Sequence, residues 1–194
     1  MRALRLLLAL PALVAAAPAL AQRFTAITLV PFGSDDAQAI GIQLDSTVIQ
    51  APRTEKHQHG FADTRLSADG RYAGWVPTEP NCCASYPVKL RLVVIDTQQH
   101  LHRFDSDSSL WDWGFVESRE AVALLSAPMH APSWFVFDLR SIKSGKLLAH
   151  YECPTLVAQL PTGYQRPPMP DWAHGIAPRA ECDEWDKERA EEQP

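Results

Sequence analysis

The 194-residue chain lacks most of the short motifs that announce an enzyme. It has no G-x-S-x-G elbow, no H-E-x-x-H pair and no glycine-rich phosphate loop. It has no basic run: 18 Lys and Arg stand against 23 Asp and Glu, for a formal net charge of −5. That balance argues against nucleic acid and against anionic membrane surfaces as partners. Beyond residue 21 no apolar stretch approaches the roughly 20 residues that span a bilayer. The four cysteines lack the C-x-x-C spacing of common metal and redox sites. No cofactor is expected.

What the sequence does have begins at its N-terminus. Arg2 and Arg5 precede an apolar run from Leu6 to Ala17, and Ala19-Leu20-Ala21 is a small-x-small cleavage site. Residues 1–21 therefore read as a cleavable signal peptide, with Gln22 opening the mature chain. Removing them leaves 173 residues and a net charge of −7, since two arginines go with the leader. A periplasmic or secreted protein without a membrane span is expected. The cysteines agree with that compartment, because an even number in an exported chain suggests two disulfides. Cys82 and Cys83 are adjacent, and a vicinal bridge strains the peptide between them. Each is expected to pair with one of Cys153 and Cys182.

Sixteen prolines and six tryptophans point to strands and loops rather than a helical bundle. Residues 24–50 carry β-rich stretches around Ile40, Ile42, Leu44, Val48 and Ile49. Further on, LSADGRYAGW (66–75) places an Asp-Gly turn between two strands, and KLRLVVID (89–96) is the strongest strand pattern. A second unit repeats the plan through LWDWGFVE (110–117), AVALLS (121–126) and WFVFD (134–138). Asp96 and Asp138 stand 42 residues apart, the period of a four-stranded propeller blade.

LSADGRYAGW (66–75) resembles the S-x-D-G-x-x-x-x-W hairpin of TolB-type β-propeller repeats. VVID (93–96) and FVFDLRSIKSGKLLAH (135–150) are similar to the hairpin that follows it there. The resemblance covers residues 61–152 and implies blade-like four-stranded meanders over 61–104 and 110–152. It implies no particular function, since such repeats serve scaffolds, receptors and enzymes. Two units cannot close a propeller. The expected fold is an all-β single domain over 22–178, with the N-terminal strands and the two units in an open or sandwich-like arrangement. Residues 154–178 are expected to wrap the β core as an ordered loop with a short turn of helix near Asp171 to Gly175, and a short charged helix and tail are expected over 179–194.

Candidate sites are few. Trp111, Trp113 and Phe115 alternate, so they are expected on one strand face, either filling core or forming an aromatic platform for a ligand. His57 with His59, and His100 with His102, are weak metal candidates, with Asp63 or His130 as a possible third ligand. Asp105 to Ser109 opens like a calcium loop, but Leu110 and Val116 occupy the places that need Gly and Glu. Ser126, His130 and Asp138 can be drawn as a triad, yet spacing alone carries no geometry. The expected role is non-catalytic: binding a protein partner in the cell envelope. Glycan or small-ligand binding through the aromatic face, or an unrecognised hydrolase, are the alternatives.

Overall fold

Alternating apolar residues, broken by short polar turns, fold the chain into eleven strands among the residues described. The computed structural model describes residues 21–32, 37–80, 87–129, 134–154, 164 and 167–176. An N-terminal sheet holds β1 (Phe24–Phe32), β2 (Ala37–Leu44) and β3 (Thr47–Gln50). A middle sheet holds β4 (Gly60–Leu66), β5 (Tyr72–Thr78), β6 (Arg91–Asp96) and β7 (Leu101–Asp105). A C-terminal sheet holds β8 (Ser109–Val116), β9 (Ala121–Ala127), β10 (Trp134–Ser141) and β11 (Leu147–Pro154). All three are antiparallel meanders, with strands side by side in chain order. The two four-stranded units expected over 61–104 and 110–152 are both present. The N-terminal strands form a sheet of their own.

The sheets stack face to face, and the period of two along each strand decides which side chain joins which layer. Phe24, Ile40, Ile42 and Leu44 of the N-terminal sheet meet Ala73, Trp75, Val93 and Ile95 of the middle one. From the same two middle strands, Tyr72, Val76, Leu92 and Val94 point the other way, onto Leu110, Trp113, Val122 and Leu124. The middle sheet is thus covered on both faces, so every residue of β5 is buried. That is why KLRLVVID reads as a continuous apolar run rather than an alternation.

Among the described residues no fourth sheet lies against the far face of the C-terminal sheet. Ala123, Leu125, Phe135, Phe137 and Tyr151 are instead covered by residues 169–176, through Met169, Trp172, Ala173 and Ile176. The turn of helix expected near Asp171 is a 3-10 turn, Asp171–Ala173. Tyr151 donates its hydroxyl to the Pro167 carbonyl at 3.3 Å, tying this strap to β11.

The Asp-Gly turn also joins layers. Gly70 adopts φ +69, and a Cβ there would lie 2.7 Å from the Phe24 carbonyl oxygen, so the position needs glycine. The Phe24 amide donates to the Gly70 carbonyl at 2.7 Å, hanging β1 on the middle sheet's turn. On the other side the Ala68 amide donates to Glu117 Oε1 at 2.6 Å. Arg71 pairs with Glu120, which also holds Lys143 at 2.8 Å.

Residues 1–20 of the expected leader, Cys82, Cys83, His130, Cys182 and the segment 179–194 lie outside the described residues. Among those described, no helix is long and apolar enough to cross a membrane.

Candidate functional site

The aromatic trio on β8 does not share a face. A register shift between Leu110 and Asp112 inserts one extra residue opposite β9, and that residue is Trp111. Such a bulge reverses the phase of the strand. Trp113 is fully buried against the middle sheet, and Phe115 packs edge-on to it with ring centroids 5.1 Å apart. Trp111 turns to the opposite side, meets Phe135 edge-on at 5.7 Å and stays 41% exposed. The expectation that the three rings share one face is therefore corrected: two rings fill core and one reaches the surface.

Trp113 is seated by the middle sheet. Gly74 leaves its space to the indole, since a Cβ on it would stand 2.6 Å from Trp113 Cη2. The indole Nε1 donates to the Asp63 carbonyl at 2.8 Å. Asp63 lies in a second bulge, between Ala62 and Arg65 of β4, at φ +48. Arg65 lies over the Trp113 ring at 5.4 Å and bonds both the Trp113 carbonyl and the Asp112 carboxylate. Two bulges on neighbouring first strands thus face each other across one polar seam.

Beside the seam opens a hollow of about 530 Å³, lined by Pro87, Lys89, Ser109, Leu110, Trp111 and Met129. Its lining is mostly apolar. Trp111 is fixed there by its Nε1, which donates to the Ala127 carbonyl at 3.2 Å. Lys89 Nζ reaches Asp63 Oδ2 at 2.6 Å, so its charge is compensated on the spot. Asp63, the possible third metal ligand, is thus paired with Lys89. A second hollow of about 630 Å³ lies between the β8–β9 turn and the strap, with Arg119 and Asp171 both on its wall.

Among the described residues neither histidine pair gathers a third metal-ligating side chain. His57 and His59 are exposed in the loop before β4. His100 Nδ1 and His102 Nε2 both approach Asp96 Oδ2, at 3.2 and 3.5 Å. Burial works against ionisation of Asp96, but the His100 amide and the two rings outweigh it and hold the carboxyl below its ordinary range. Among the described residues no group of three or more His, Cys, Asp or Glu is arranged to hold a metal ion. Among the described residues Asp138 has partners of its own. It holds His150 Nδ1 at 2.8 Å and Arg140 at 2.8 Å, while His150 Nε2 meets Glu152 at 3.1 Å. Those two carboxylates raise the His150 pKa above its ordinary 6.5. Cys153 is fully buried on β11 and is not a free thiol.

Sequence reading missed Lys89, the Asp138–His150 pair and the seating role of Gly74. Only Gly74 left a trace, as the small residue within RYAGWV. No family model matches the chain, and neither a curated protein nor a solved structure does.

Proposed function

We propose that this is an exported, non-catalytic binding protein of the cell envelope that engages its ligand at the Trp111 hollow. One observation carries the reading. A bulge removes one large aromatic from the core phase of β8, and two contacts then hold its ring rigidly at the surface. Leaving a large apolar side chain uncovered forgoes about 1.5–3 kcal/mol of burial. Bulges that re-aim a side chain in this way recur beside functional sites. The adjoining hollow has the size and apolar character of a small-ligand pocket. Export rests on the leader and on the even cysteine count.

The binding half is tested by placing a photo-crosslinking amino acid at Met129 of the full chain in producing cells. An envelope adduct is expected, and Trp111→Ala should abolish it. Absence of an adduct, or one indifferent to Trp111, would overturn the proposal. The export half is tested by sequencing the N-terminus of envelope-derived protein, which is expected to begin at Gln22.

A further inference from the structure

We infer that the Trp111 hollow holds a neutral sugar ring, its apolar face stacked on the Trp111 indole and its hydroxyls on Lys89 and Ser109. This inference rests on the binding role proposed above and names the ligand class. Charge is the first argument. Lys89 is paired with Asp63 at 2.6 Å, so among the described residues the hollow offers no uncompensated charge. An anion would have to displace Asp63, and a cation would meet the Lys89 ammonium.

Hydrogen-bonding capacity is the second argument. An ammonium group has three donors, and Asp63 takes one. The Ser109 hydroxyl makes no hydrogen bond among the described residues and can both donate and accept. A purely apolar ligand would strip water from these groups and return no hydrogen bond. A sugar ring matches both surfaces, with C–H bonds on one face and hydroxyls around its edge.

Backbone is the third. An extended peptide gains affinity by pairing with free main-chain groups. Here the Leu110 amide is spent on the Lys89 carbonyl at 2.7 Å, and the Leu90 carbonyl accepts the Ser106 amide at 2.9 Å. β8 is the edge strand of its sheet, but the Leu110 amide on that edge is already taken.

The test titrates the mature chain with three neutral probes: the β-1,4-linked N-acetylglucosamine trimer, cellotriose and maltotriose. Calorimetry gives affinity, and the indole N–H resonance of Trp111 in the wild-type protein reports the site without any mutation. At least one sugar is expected to bind in the millimolar range or tighter and to shift that resonance. Trp111→Ala should weaken binding at least about tenfold and Lys89→Met several-fold, whereas Leu148→Ala, at an exposed position on β11, should change nothing. Failure of all three sugars to move the Trp111 resonance at about 10 mM overturns the inference. So does tighter binding of benzoate or of a proline-rich peptide at the same resonance. If the Met129 crosslink still forms, only the sugar assignment falls. If it does not, the binding role falls with it.

Discussion

Gly74 and Trp113 show how one absent methyl group holds two layers together. The glycine lies on a strand buried on both faces, and the indole fills its space with no room to retreat. Gly74→Ala is therefore expected to destabilise the protein by about 1–3 kcal/mol through overpacking, read as a lowered urea midpoint at unchanged slope. Combining it with Trp113→Phe, which opens room, should cost less than the two single changes together. Cys153 yields a second expectation at this scale. Non-reducing peptide mapping of exported protein should link it to Cys82 or Cys83, and an alkylatable Cys153 would refute the stapling. Little of the residue scale was legible in advance. The Trp111, Trp113, Phe115 alternation is real in the sequence, but the bulge that breaks it arises from pairing between β8 and β9. Local periodicity contains no trace of an extra residue.

At the scale of the element, each four-stranded sheet fastens its last strand with an acid–histidine contact. Asp96 on β6 meets His100, just before β7, and His102 on β7, and Asp138 on β10 meets His150 on β11. The two partners have opposite pH dependence. His150 binds its proton more tightly folded than unfolded, so its contribution is full below its ordinary pKa of 6.5. That contribution is lost as pH rises through the higher folded value. His150→Gln should thus lower stability at about pH 5.5 and have little effect in mildly alkaline buffer. The loss should stay under about 1 kcal/mol, because the ring is partly solvated. Asp96 has the reverse sign: its contribution is present above 3.8 and disappears as pH falls through its lower folded value. Asp96→Asn should cost stability at neutral pH, and denaturant melts at several pH values check both. Elements were the legible scale. The Asp-Gly turn, the apolar run of β6 and the 42-residue spacing marked both four-stranded units close to their observed limits. Separation of β1–β3 into its own sheet was not readable, because alternation shows which face is apolar but not what it lies against.

For the whole molecule the question is how an open stack ends. The C-terminal sheet has an apolar outer face, and the strap covers it in place of another sheet. Ile176 is buried there, with Ala173 beside it. Ile176→Ala is expected to cost about 2–4 kcal/mol, and Ile176→Asp to expose the face and raise binding of a hydrophobic dye. Unchanged stability in both would show that the strap is dispensable. Sequence anticipated an open or sandwich-like arrangement, since two units cannot close a ring. It also anticipated a proline-rich wrap with a short helical turn, but those residues carry no period to announce which face they cover.

Stacking in chain order has a consequence for how the protein is made. Each apolar cluster joins a unit only to the next one along the chain: N-terminal sheet to middle sheet, middle to C-terminal sheet, C-terminal sheet to strap. Among the described residues no apolar layer must wait for a distant part of the chain before it finds its bed. A polypeptide emerging N-terminus first, from a ribosome or through a translocation pore, can lay down one layer after another. The strap arrives last and shuts the stack.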